Sequence, residues 1–200
     1  MRRSTNALRP NWRSDRFTDL QRELLVYRSI ILAGALAAVA GTVPSRGADE
    51  PAKVTMTEVK FDALDKAVAD QKKKVVLVDF WATWCGPCVK KFPHFVATHK
   101  KYADKGLVCM SVSMDPKGKD DKYDKDAVLK FLKEKEAAFP NFVLLGARDD
   151  DEKITKRFGL DGGIPFQALF GKDGKRVWTS EDKELTDAEL DKLIEAALAK

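Results

Sequence analysis

The chain has 200 residues, 44% of them apolar and 34% charged, with 36 Lys and Arg against 31 Asp and Glu for a formal charge of +5. That length supports one globular domain of ordinary size with some to spare. Its 12 Gly, 8 Pro and 3 Cys are too few for a collagen-like, low-complexity or disulfide-framework protein. The excess charge is local, because residues 1–47 hold eight Arg and three acids, the whole surplus, while residues 48–200 balance at 28 basic against 28 acidic. A neutral folded part offers phosphate no overall attraction, so nucleic acid is not an expected partner.

Residues 30–40 form an apolar block preceded by Arg28. The block is shorter than the roughly 20 apolar residues of a membrane span and fits the roughly 7–15 of a secretory signal. Residues 1–47 are therefore expected to be a signal peptide or an uncleaved anchor, with cleavage near Ala48 and translation starting near residues 24–26. Either form puts the following domain outside the cytoplasm, where thiols tend to oxidise, and limits membrane contact to the leader.

A polar linker at 48–53 precedes a short alternating strand at 54–59 and an amphipathic helix at 61–71 with Phe61, Leu64, Ala67 and Val68 on one face. Residues 75–81 are apolar except for Asp79, the pattern of a strand buried on both faces of a largely parallel sheet. A helix is expected from 85–87 to about 105, interrupted at Pro93, and a second buried strand at 107–114. Residues 115–126 read as a charged loop, 127–136 as a helix, 142–145 as a strand, and 149–158 as a helix capped by Gly159. Strands at 166–170 and 176–179 form a hairpin through residues 172–175. Thr186 with Glu189 makes a capping box for the last helix. The acidic runs at 120–126 and 149–152 lack the Gly and terminal Glu of a calcium loop and read as solvated faces. Strands alternating with helices and closing on a hairpin predict an α/β layer fold with a mixed central sheet flanked by helices.

The chemistry is concentrated in Trp84-Cys85-Gly86-Pro87-Cys88. Two thiols one helical turn apart lie within bonding distance, and at a helix start the free backbone amides favour a thiolate on the first. Cys85 is then the exposed nucleophile of lowered pKa and Cys88 the buried resolving thiol, with Gly86 and Pro87 shaping the turn. Half of a zinc site, or an inert structural disulfide, remains an alternative. Zinc needs a second ligand pair, and only Cys109, His94 and His99 are left to supply one. Cys109 itself reads as a small buried hydrophobe within its strand, and Trp81 as a packing residue.

The run Val75-Val-Leu-Val-Asp-Phe-Trp-Ala-Thr-Trp-Cys-Gly-Pro-Cys88 followed by Pro93 resembles the active-site strand and helix of the thioredoxin superfamily. The leader, the inserted loop and helix at about 115–137, and residues 139–145 resemble its exported TlpA/ResA-like branch, over about 54–200. The resemblance implies a thioredoxin fold and thiol-disulfide exchange without a cofactor. It also implies a proton-accepting role for Asp79 toward Cys88, which burial makes physically sensible by raising the carboxyl pKa. Ser111 stands where thioredoxins place a Lys near this acid. Ile164-Pro165 resembles the cis-proline loop that pairs with a substrate peptide, which a lone X-Pro bond would not suggest. Phe166, where the family commonly has Thr, and Gly162-Gly163 depart from its pattern. Trp84, beside the nucleophile, is a candidate substrate contact.

The function expected from these residues is an exported thiol-disulfide oxidoreductase, periplasmic or anchored by its N-terminus, that reduces disulfides of client proteins. Gly-Pro between the cysteines matches thioredoxin, a reductant of about −270 mV, rather than an oxidant near −120 mV. By resemblance, electrons come from a membrane thiol carrier and targets include apocytochrome c or copper-site cysteines. An oxidising, disulfide-forming protein and a copper(I)-binding thiol module are the alternatives.

Overall fold

The computed structural model describes residues 53–116 and 120–200, so the expected signal or anchor at 1–47 and most of the linker lie outside the described residues. The fold is built outward from β2 (Val75–Trp81), whose seven residues are all buried. Side chains alternate across a strand, so the continuous apolar run divides into two sets. Val75, Leu77 and Trp81 join one core cluster, and Val76, Val78 and Phe80 the other. Asp79 shares the parity of Leu77 and Trp81.

Among the described residues, β1 (Thr57–Val59), β3 (Leu107–Ser113), β4 (Asn141–Leu144), β5 (Phe166–Phe170) and β6 (Arg176–Thr179) complete one sheet with β2, in the order β1-β4-β3-β2-β5-β6. The first four strands in that order are mutually parallel. β5 runs antiparallel to β2, and β6 antiparallel to β5. This is the expected mixed sheet. Helices α1 (Phe61–Ala69) and α4 (Asp151–Phe158) cover one face through Phe61, Leu64, Val68, Ile154 and Phe158. Helices α2 (Gly86–Tyr102), α3 (Lys125–Glu134) and α5 (Asp187–Ala199) cover the other through side chains such as Phe92, Phe95, Leu132 and Ile194.

Three expectations are adjusted. The first strand begins at Thr57, not residue 54, because its pairing with β4 starts at Thr57↔Phe142. The helix carrying the cysteines is not interrupted at Pro93; it continues to Tyr102 and passes into a 3-10 turn at Ala103–Lys105. Helix α3 begins two residues early because the Asp124 carboxylate accepts the Ala127 backbone N–H at 2.9 Å, an N-cap that turns part of the expected loop into helix. The inserted segment packs inward, with the Phe131 ring of α3 centred 4.6 Å from that of Trp81 and meeting Phe92 edge-on at 5.1 Å.

Candidate active site

β2 ends at Trp81, and a four-residue connection delivers the chain to α2 at the carboxyl end of the parallel strands, where α/β folds gather their ligands. Cys85 is the N-cap of α2, and its sulfur accepts the Cys88 backbone N–H at 3.3 Å. A sulfur therefore takes the place that Ser or Asp holds at ordinary helix starts, and the positive end of a 17-residue helix faces it. Pro87 lies in the first turn, where its missing N–H leaves no intrahelical bond unmade. Cys85 and Cys88 form a disulfide with their Cα atoms 5.2 Å apart.

The expectation of an exposed Cys85 is corrected, since the residue is only 6% exposed and Cys88 2%. The covering group comes from 79 residues away, with the Cys85 sulfur 3.8 Å from the carbonyl oxygen of Ile164. In the disulfide this is a contact without a proton; the reduced thiol regains a hydrogen to donate there. The Ile164–Pro165 peptide is cis. The exposed apolar surface at this end belongs to Trp84, 52% exposed, whereas Trp81 is fully buried.

Asp79 is 6% exposed, and burial pushes its carboxyl up to about 7 against the opposing pull of a Gln167 hydrogen bond and the Lys91 charge. Ser111 is its register neighbour on β3, but the Ser111 hydroxyl donates to Asn141 Oδ1 at 2.7 Å. The side chain that reaches Asp79 is Gln167 of β5, whose Nε2 donates to Oδ1 at 2.8 Å. Cys109 is fully buried, and desolvation pushes its thiol well above the ordinary range. Among the described residues, no group of three or more His, Cys, Asp or Glu side chains gathers to hold a metal.

Two contributors escape the sequence reading. Gln167 is the one polar residue in β5, two positions after Pro165, and that break in an apolar run was its signal. Asp115 opens the segment that reads as a charged loop, yet it is buried and anchors Thr83 in the connection leading to the thiols. It stands just beyond the end of β3, before a run rich in Lys and Asp, and nothing local marks it as buried.

The sequence matches the Redoxin family over residues 48–194. It is 30% identical over 127 residues to a thiol-disulfide oxidoreductase ResA of Bacillus cereus, covering 62% of this chain and 66% of that protein. To the ResA of Bacillus subtilis strain 168 it is 30% identical over 110 residues, covering 55% and 54%. The chain thus spans between about half and two thirds of the length of these relatives. The pneumococcal exposed lipoprotein thioredoxin Etrx1 of Streptococcus pneumoniae strain TIGR4 superposes with a TM-score of 0.50 at 22% identity. That match covers 64% of this chain and 89% of that one, a likeness of fold.

Proposed function

The chain belongs to the Redoxin family, as a TlpA/ResA-like member of the thioredoxin superfamily, and we propose that it is a thiol-disulfide oxidoreductase that reduces disulfides in client proteins. One observation carries this reading: the Cys85–Cys88 pair caps the start of α2 and abuts the Ile164–Pro165 loop. After reduction, the Cys88 N–H and the helix end favour a thiolate at Cys85. That thiolate attacks one sulfur of a client disulfide, forming a mixed disulfide and releasing the other client sulfur as a thiolate that takes up a proton. Cys88 then gives its proton to Asp79 and attacks the Cys85 sulfur. The second client thiol leaves, and two electrons have passed from the dithiol to the client. A dithiol donor, in this reading a membrane thiol carrier, restores the pair.

The Ile164 carbonyl lies beside the reacting sulfur, placed to accept an N–H from an extended client segment, and exposed Trp84 adds an apolar contact. Export rests on the apolar block at 30–40 behind Arg28. The test is Cys88→Ser in the full chain. It should accumulate mixed disulfides through Cys85 in extracts, while Cys85→Ser should accumulate none, and an empty trap overturns the reading. Equilibration of the wild-type pair against glutathione decides direction, with a potential near that of thioredoxin expected for a reductant.

A further inference from the structure

Asp79 meets its surroundings differently on each side. From β3, the Ser111 hydroxyl is committed to Asn141 and the buried Cys109 thiol is held protonated by desolvation and by the Asp79 charge. From α2, the helix that also carries Cys88, comes Lys91, whose charge favours the carboxylate. From β5 comes Gln167, directly opposite Asp79 in the antiparallel register. The Gln167 backbone is fixed by the residue that follows β6, its N–H donating to Ser180 Oγ at 3.0 Å and its carbonyl accepting the Ser180 N–H at 2.9 Å. Its side chain is therefore delivered to Asp79 from a rigid base.

Gln167 is also part of the wall of a cavity of about 450 Å³ between α2, the β5–β6 hairpin and the approach to α5. Side chains there are paired across it: Lys91 with Glu184 at 3.3 Å, and His94 Nδ1 with the Asp187 carboxylate at 3.3 Å. Gln167 thus borders an open space of mixed polarity while its amide donates to a buried carboxylate in the strand that leads to the thiols. An N–H aimed at a desolvated carboxylate is worth more to the anion than to the neutral acid, because a charge-assisted hydrogen bond is about twice as strong as a neutral one.

We infer that Gln167 is a positioning residue of the thiol-disulfide centre: from the wall of the α2–α5 cavity its amide orients the Asp79 carboxylate and keeps it able to ionise. The catalytic consequence rests on the function proposed above; the hold on Asp79 does not. Without the amide the carboxyl stays protonated to higher pH, Cys88 loses its proton acceptor at neutrality, and the mixed disulfide resolves more slowly.

The experiment uses the full chain with Gln167→Met, which keeps length and removes the donor, and Gln167→Glu, which replaces the donor by a second carboxyl. The Asp79 carboxyl is titrated by difference infrared spectroscopy against Asp79→Asn, and thermal melting at low pH confirms folding. Met should raise the titration midpoint by about one unit or more, and Glu should raise it further because two adjacent carboxyls hold a proton between them. Resolution of a preformed mixed disulfide should slow several-fold at pH 7 in Gln167→Met and recover at higher pH, a profile that a general packing defect does not produce. A midpoint unchanged in Gln167→Met overturns the inference, and if that variant does not fold, an unchanged midpoint in Gln167→Glu does so alone. If the midpoint shifts while even the wild-type protein reduces no client disulfide, the hold on Asp79 stands and the proposed function falls.

Discussion

Asp115 accepts the Thr83 backbone N–H through both carboxylate oxygens, at 3.2 and 3.1 Å, and the Thr83 hydroxyl as well. The Ser113 hydroxyl donates to the same carboxylate at 2.7 Å and accepts the Asp115 N–H at 3.1 Å. The end of β3 is thereby tied to the connection between β2 and α2, two residues before Cys85. Asp115→Ala leaves a part-buried N–H and two hydroxyls without their acceptor, and should cost about 2–3 kcal/mol. Differential scanning calorimetry of the oxidised protein measures this, with Asp115→Asn expected to fall between. A loss below about 0.5 kcal/mol, the ordinary effect of a surface change, refutes the mooring.

Asp79 links stability to pH with a definite sign. Its folded-state value of about 7 lies above the roughly 3.9 of an unfolded Asp, so the native state holds the proton more tightly. The contribution is present in full below about pH 4 and is lost as pH rises toward 7, a total of about 4 kcal/mol at most. Asp79→Asn removes the titrating group. The stability of the variant relative to wild type, from urea unfolding at pH 4 to 9, should therefore climb between pH 4 and 7 and then level. A difference that does not vary with pH contradicts this picture of a buried, proton-holding carboxyl.

What could be read in advance and what could not divide along sequence distance. β2, both strands of the hairpin and the Thr186–Glu189 capping box occupy the expected residues, because each is written in a local pattern: an apolar run, paired strands around Asp-Gly, a Thr with Glu three positions on. The Cys85–Cys88 disulfide is likewise local, one helical turn long. The partnerships that finish the site are not. Gln167 reaches Asp79 across 88 residues, Asp115 reaches Thr83 across 32, and the Ile164 carbonyl that hides the Cys85 sulfur lies 79 residues away. Such pairings depend on strand order and register, which no periodicity in one segment encodes.

Asn141, at the start of β4, shows how a small amide can tie a neighbouring strand and two connecting segments together. Its Oδ1 accepts the Ser111 hydroxyl at 2.7 Å, and its Nδ2 is directed at the carbonyls of Phe139, Ala137 and Thr55 at 2.7, 2.9 and 3.1 Å. Asn141→Ala should cost about 3 kcal/mol, since buried acceptors and a hydroxyl lose their partner together. Asn141→Asp should be worse at pH 8 than at pH 4. Ionised, it faces three carbonyl oxygens with no hydrogen to give; protonated, it can still donate to one. Thermal melts at the two pH values check this, and an Asp variant more stable at pH 8 shows the assigned amide orientation to be wrong.

Cys85 and Cys109 are both buried, yet their chemistry should separate sharply once the disulfide is reduced. Cys109 lies inside β3, fully enclosed, and both desolvation and the nearby Asp79 charge oppose its thiolate. Cys85 sits at a helix start with the Cys88 N–H directed at its sulfur, and its cover includes the Ile164 carbonyl at 3.8 Å. A shallow opening at that edge admits a reagent, whereas reaching Cys109 requires β3 to leave the sheet, an event on the scale of global unfolding. Iodoacetamide added to the reduced native protein at pH 7 should therefore label Cys85 at least about 100-fold faster than Cys109, read by peptide mass spectrometry. In denaturant the two rates should converge. Comparable rates in the native protein show that neither the helix end nor the burial of β3 governs thiol reactivity here.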